Sequence, residues 1–93
     1  AFLWDEGNID KNLKKHNVTV VESEEMFMGG PFVATDPAHS TKEEKRLQAL
    51  GKTKSNRRLF AAFTVRNNKI RIISIRNMSK REERAYEKLE KNS

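Results

Sequence analysis

Apolar positions alternate most clearly between Arg57 and Arg76, RRLFAAFTVRNNKIRIISIR, and the rest of the chain is arranged around this stretch. β-Branched and aromatic residues fill two runs separated by Asn67-Asn68, a pair that tolerates the positive φ of a tight hairpin turn. With the two asparagines as the whole loop, Arg66 faces Lys69. Uninterrupted alternation then places Leu59, Ala61, Phe63, Val65, Ile70, Ile72 and Ser74 on one face, with Arg76 at its far end. The other face carries Phe60, Ala62, Ile73 and Ile75 in its middle. Thr64, Arg66, Lys69 and Arg71 lie at its turn end and Arg58 at the opposite end. The first face is expected to be core. The second, apolar in the centre and cationic at its margins, suits a phosphate chain or a partner.

Ahead of this hairpin, Phe2-Leu3-Trp4 has the length of an edge strand or an anchor, Trp4 reading as a hydrophobic anchor. Asp5 is a helix N-cap candidate, and Ile9 and Leu13 mark a narrow apolar stripe running to His16. Asn17 suits the left-handed residue that ends a helix, and Lys14, Lys15 and His16 sit where the helix dipole favours cations. Thr19-Val20-Val21-Glu22 is a capping box that opens a second helix over Val20 to Phe27, and Gly29-Gly30-Pro31 stops it. A short strand is predicted in Phe32 to Thr35, a loop in Asp36 to Ser40, and a strand in Lys45 to Gly51. In the last, Leu47 and Ala49 face one way, Arg46 and Gln48 the other. Ser79 with Glu82 caps a final helix whose thin buried face is Ala85, Tyr86 and Leu89. The pattern predicts an α+β fold: a small single domain over residues 1–93, with a mostly antiparallel β-sheet meander, two N-terminal helices and one C-terminal helix.

Composition narrows the class. Of 93 residues 35% are hydrophobic and 34% charged, enough for one modest core. No run approaches the ~20 apolar residues of a membrane span and no signal peptide is visible, so a cytoplasmic protein without membrane contact is expected. The absence of cysteine excludes disulfides, thiolate metal sites and a cysteine nucleophile. Charge is polarised: residues 1–40 hold three Lys and seven acidic residues, whereas residues 41–93 hold sixteen Lys or Arg against six Glu. Such polarity points to a face for polyanions, of which nucleic acid is the commonest, or to a plain solvated basic surface.

Were the polyanion RNA, cutting it without a metal would need a base for the 2′-hydroxyl, cations for the growing phosphorane charge and an acid for the 5′-oxygen. Arginine suits the second task because its planar fork binds phosphate oxygens in pairs and stays protonated. Arg46, Arg66, Arg71 and Arg76 all come from predicted strands, although solvated strand positions are the ordinary fate of any one of them. Arg76 stands apart: at the end of an otherwise apolar face it must find a partner or border a cleft. His39, in a loop, and Glu44, beside Arg46, are proton-transfer candidates. His16 is another, although it continues the Ile9–Leu13 stripe and better fits a structural role capping helix carbonyls. Arg58, Arg66 and Lys69, with Arg81 and Arg84 on the last helix, are candidate RNA contacts. Two histidines 23 positions apart without a carboxylate at ligand spacing give no metal signature, and no cofactor motif is present.

Taken together, these residues resemble the BrnT family of ribonuclease toxins from bacterial type II toxin–antitoxin pairs. The resemblance runs from Phe2 to about Tyr86. It rests on Trp4-Asp5-Glu6, Asn12-Leu13-Lys14-Lys15-His16, Phe27, Asp36-Pro37, His39-Ser40, and Glu44 with Arg46 and Gly51. It continues through Arg58-Leu59, Thr64 with Arg66, Ile70-Arg71-Ile72-Ile73-Ser74 with Arg76, and Ser79 to Tyr86. It implies a metal-independent endoribonuclease with a RelE-like fold, neutralised by a BrnA-type antitoxin protein, with operator DNA bound only through that antitoxin. Asn17 stands where the family usually has Gly after the His, which keeps the capping role. Ile75 replaces a smaller residue before Arg76, where it bears on packing beside the expected site. Two other classes fit the same charge and fold: a nucleic-acid-binding module without catalysis, and a protein-binding domain whose basic sheet face meets an acidic partner.

Overall fold

The computed structural model describes residue 2 and residues 6–41 and 44–92. Its elements are α1 (Glu6–His16), α2 (Val20–Met28), β1 (Phe32–Thr35), β2 (Leu47–Lys52), β3 (Arg58–Arg66), β4 (Lys69–Asn77) and α3 (Lys80–Lys91), with a single 3-10 turn at Pro37–His39. The strands form one antiparallel sheet in the order β1-β2-β3-β4. This is the α+β meander with two leading helices and one trailing helix that the apolar pattern predicts. Leu3, Trp4 and Asp5, expected as anchor and N-cap, lie outside the described residues.

Local chemistry explains most element boundaries. Asn17 ends α1 at φ 54°, and Asn67 and Asn68 turn the hairpin at φ 52° and 62°, all in the left-handed region where asparagine is tolerated best after glycine. Thr19 and Glu22 form the reciprocal capping box of α2, as Ser79 and Glu82 do for α3. α2 runs one residue beyond the expected Phe27, to Met28, before Gly29 closes it.

The core lies between the sheet and the first two helices. Val18, Met26, Ala49, Leu59, Ala61, Phe63, Ile72 and Ile75 are buried together, and Phe27 bridges Phe2 and Phe63 by edge-to-face ring contacts at 5.6 and 5.1 Å. Each large aliphatic side chain so buried contributes about 2 kcal/mol. Gly51 admits Met26 to the sheet: a Cβ there would lie 2.9 Å from Met26 Cγ and 3.0 Å from Pro31 Cβ.

The β3–β4 ladder departs from simple alternation. Arg66 pairs with Lys69, Thr64 with Arg71 and Phe63 with Ile72, but Ala62 pairs with Ser74, so Ile73 is an extra residue on β4. Beyond this bulge every β4 side chain changes face. Ile75, expected on the outer face, is wholly buried opposite Ala61, and Ser74 and Arg76, expected on the core face, stand on the outer face opposite Ala62 and Phe60. Edge strand β4 is covered along its length. Phe2 bridges to Ile70, Lys11 Nζ donates to the Ile73 carbonyl at 3.3 Å, and the Ile75 N–H donates to Asn12 Oδ1 at 3.3 Å. α1 thus supplies side-chain partners that a neighbouring strand would otherwise provide.

On the opposite surface α3 docks through Tyr86, which is 4% exposed and meets Phe32 edge-on at 5.7 Å. Around it the acidic side of α3 meets sheet cations: Glu82 with Arg76, Glu83 and Glu87 with Arg58, and Glu90 with Lys52.

Candidate active site

The outer face of the sheet carries two rows of functional residues near its β4 edge. From the hairpin turn inward, β3 contributes Arg66, Thr64, Ala62 and Phe60, and β4 contributes Lys69, Arg71, Ser74 and Arg76 in register with them. Cationic residues at both ends thus flank a floor of the two small residues Ala62 and Ser74. Arg71 and Arg76 stand four β3 positions apart, about 13 Å at strand rise. Without the Ile73 bulge Arg76 would project into the other layer, and the two would not share a surface.

At the turn end a carboxylate sits among guanidiniums. The β1–β2 connection returns over this end of the sheet, because Thr35 and Leu47 pair beside Phe63. Ser40 Oγ accepts from the Arg46 N–H at 2.9 Å and donates to the Asp36 carbonyl at 2.7 Å, which braces the loop. Glu44 thereby meets Arg66, whose Nε donates to Oε2 at 3.0 Å and whose Nη2 also reaches that oxygen. The Arg66 hydrogen bonds outweigh partial desolvation and, with the charges of Arg66, Arg71 and Arg46, hold the Glu44 carboxyl below its ordinary range. Neither Arg46 nor Arg71 makes a side-chain hydrogen bond to another described residue. Thr64, opposite Arg71, is wholly buried, and its Oγ1 has no hydrogen-bond partner among the described residues.

At the other end Arg76 is held from three sides. Its Nη1 and Nη2 donate to Glu82 Oε1 and Oε2 at 2.7 and 3.0 Å, Nη1 also donates to the Asn77 carbonyl at 3.1 Å, and its Cζ lies 4.4 Å from the Phe60 ring centre. Burial works to raise the Glu82 carboxyl, but the bonds from Arg76 and the Ser79 N–H and the Arg76 charge hold it below its ordinary range. The expected need of Arg76 for a partner or a cleft is met on the outer face, by Glu82.

Of the remaining candidates, Lys69 belongs to the β4 row and Arg58 continues the β3 row beyond Phe60, whereas His16 is placed apart from the strip. His16 ends α1 with its carbonyl accepting from Arg57 Nη2 at 2.9 Å. Arg57 immediately precedes β3, about 30 Å along the strand from the hairpin turn. His39 closes the 3-10 turn of the β1–β2 connection, and its side chain lies outside the described residues. Arg58 is engaged by α3, 3.2 Å from Glu87 and 3.9 Å from Glu83, with Tyr86 beneath it. Arg81 and Arg84 are exposed on the side of α3 away from Tyr86. Lys69 is exposed beside Arg66 at the turn. Among the described residues no three or more His, Asp or Glu gather to hold a metal ion, and no helix is long and apolar enough to cross a membrane.

Sequence reasoning missed Arg57 and Gln48. Arg57 binds the carbonyls of His16 and Asn17, Glu22 Oε2 and Asn77 Oδ1 at 2.7 to 2.9 Å, joining both N-terminal helices to the end of β4. Gln48 Nε2 donates to Asp36 Oδ2 at 3.1 Å and lies in the outer row beside Ala62. Nothing in the local pattern marks either residue, since their partners are distant in sequence.

The family model described as ribonuclease toxin, BrnT, of type II toxin–antitoxin system matches residues 4–82. The chain belongs to the BrnT family. The match takes in the whole sheet and ends on Glu82, the partner of Arg76. The crystal structure of the Brucella abortus ribonuclease toxin BrnT superposes with a TM-score of 0.61 at 22% identity, covering 85% of this chain and 96% of that one. At that identity the likeness establishes a shared fold. A search of curated protein sequences finds no match.

Proposed function

We propose that this BrnT-family chain is a metal-independent endoribonuclease that arrests growth by cutting RNA. In this reading it acts in the cytoplasm, is neutralised by a BrnA-type antitoxin, and meets operator DNA only through that antitoxin. The observation that carries the reading is the shared outer face. Arg46, Arg66 and Arg71 surround Glu44 at one end, Arg76 stands at the other, and a small-residue floor lies between.

In this proposal Arg46, Arg71 and Arg76 hold and neutralise the scissile phosphate, with Arg66 and Lys69 on the flanking backbone. The 2′-oxygen attacks phosphorus as its proton passes to a base, the P–O5′ bond breaks, and the 5′-oxygen takes a proton from an acid. The products are a 2′,3′-cyclic phosphate and a free 5′-hydroxyl. Among Glu44, His39 and His16, placement favours Glu44 as base. It is ionised, it lies among the arginines that would grip the phosphate, and phosphate binding to Arg66 would release it. His39, on the same connecting loop, is the second candidate for proton transfer, and His16 is the most distant. Arg58, Arg81 and Arg84 would contribute only a long-range field.

Inducible expression alone and with the neighbouring antitoxin gene, with total RNA examined, tests the reading. Cleavage on expression alone, silenced by co-expression, is expected. Purified protein should cut RNA in excess EDTA, and a strict requirement for added Mg²⁺ would overturn the metal-independent part. Binding to uncut RNA should weaken steeply with salt if several arginines contact phosphates.

A further inference from the structure

We infer that the groove between α3 and the outer face of β1–β3 is a nucleobase subsite that sets which RNA sequence is cut. The inference rests on the ribonuclease reading and deepens it. The groove is a cavity of about 310 Å³ lined chiefly by Phe32, Leu50, Phe60 and Leu89, with Gln48 and Glu82 as its polar groups. That volume accepts one planar base, and apolar walls with a few placed polar groups are the usual make-up of such sites.

Its position relative to the arginine strip is what assigns the ligand. Phe60 pairs with Leu50 on β2 and with Arg76 on β4, so its ring stands between the groove and the Arg76 guanidinium, 4.4 Å away. Neighbouring strands are about 4.8 Å apart, so a phosphate at Arg76 and a base beyond Phe60 are separated by roughly one sugar. One side of the ring carries the cation, and the groove side offers a stacking surface. Gln48, tethered through Nε2 to Asp36 at 3.1 Å, keeps its amide oxygen for a base edge. Glu82, held as an anion by Arg76 and Ser79, lines the same groove and repels a phosphate there while accepting from a base N–H. The chain therefore offers a phosphate one side of Phe60 and a base the other.

The test maps 5′ ends of RNA cut by the purified wild-type chain, by Leu89→Trp and by Gln48→Leu. Leu89 is 40% exposed, so Trp fills the groove from its rim without disturbing the core. The wild type should show one enriched base beside the cut, and Leu89→Trp should flatten it. In that variant KM should rise about tenfold for an oligonucleotide bearing the favoured base, the scale of one lost stacking contact. KM for an oligonucleotide lacking that base should stay unmoved. In parallel, the four nucleoside 5′-monophosphates are titrated while the Gln48 side-chain amide is followed by NMR. A shift in the wild type that Leu89→Trp abolishes supports the subsite even if no RNA is cut, an outcome that would sink the ribonuclease reading alone. Unchanged cut-site preference in both folded variants overturns the subsite while leaving the nuclease. Loss of antitoxin binding with preference intact also overturns it, and gives the groove to a protein side chain.

Discussion

Arg76 and Glu82 are locked in a two-pronged ion pair, with bonds of 2.7 and 3.0 Å, and the same carboxylate completes the capping box of α3. Helix placement and arginine orientation are therefore one feature. Arg76→Ala should lower RNA cleavage by about 100-fold or more, the scale of one lost electrostatic stabiliser, while antitoxin binding persists. Arg76→Lys should recover little, since an ammonium cannot bind both Glu82 oxygens in parallel. Steady-state cleavage by the purified variants, with circular dichroism to verify folding, checks this. Full activity in a folded Arg76→Ala protein would remove Arg76 from the site.

Glu44 predicts a pH profile. Its carboxyl lies below the ordinary 4.5, so as base it remains ionised through the neutral and mildly acid range and weakens only as pH falls through that lowered value. No loss of kcat/KM should then appear as pH falls from about 8 to about 5, whereas an imidazole acting as base would bring a fall near about 6.5. Glu44→Gln should cost about 100-fold in rate at all these pH values.

Arg57 should matter to stability rather than chemistry. Arg57→Ala leaves the Glu22 carboxylate and two helix-end carbonyls without their donor, a loss of about 3 kcal/mol in urea unfolding. Glu22 is held below its ordinary 4.5 by the Thr19 N–H bond and, against burial, by Arg57. A carboxyl with a lowered folded-state pKa stabilises the fold above its unfolded value, and that contribution disappears as pH falls through the folded value. The acid limb of the wild-type stability curve should accordingly lie below pH 4.5, and Arg57→Ala should make it shallower.

Gly51→Ala drives a methyl group against Met26 and Pro31, at 2.9 and 3.0 Å. Met26 is wholly buried, so relief requires core movement, and a loss of about 1–3 kcal/mol is expected in thermal or urea unfolding.

Thr64→Val tests the opposite sign. Its buried Oγ1 has no partner among the described residues, so replacing it by a methyl of similar shape should raise stability by about 1 kcal/mol. A melting midpoint that falls instead would show that the hydroxyl is engaged.

Legibility followed sequence distance. Both capping boxes, the Asn17 stop and the Asn67-Asn68 turn were readable because their partners lie within four residues. The convergence of Arg46 and Arg66 on Glu44 was half readable: the residues stood out by type, but the carboxylate reaches its partner only because the β1–β2 connection and the hairpin turn share one end of the sheet. The face of Arg76 was misread. Period-two alternation carries no mark of an inserted residue, and the Ile70–Ile75 run offers apolar side chains to either face. The engagement of Arg58 by α3 was not readable, because the acidic residues that meet it come from a helix 25 to 29 positions downstream.

The residues alone settled the α+β order of elements, the hairpin and the basic half of the chain, since each follows from backbone preference or charge acting over a few positions. Assembly decided the rest. A bulge at Ile73 costs a ladder position, yet it buries Ile75 opposite Ala61 and leaves β4 edge groups for Lys11 and Asn12 to bond. That exchange of core contacts between remote segments turns Arg76 onto the face of Arg71, and no stretch of the chain read in isolation contains it.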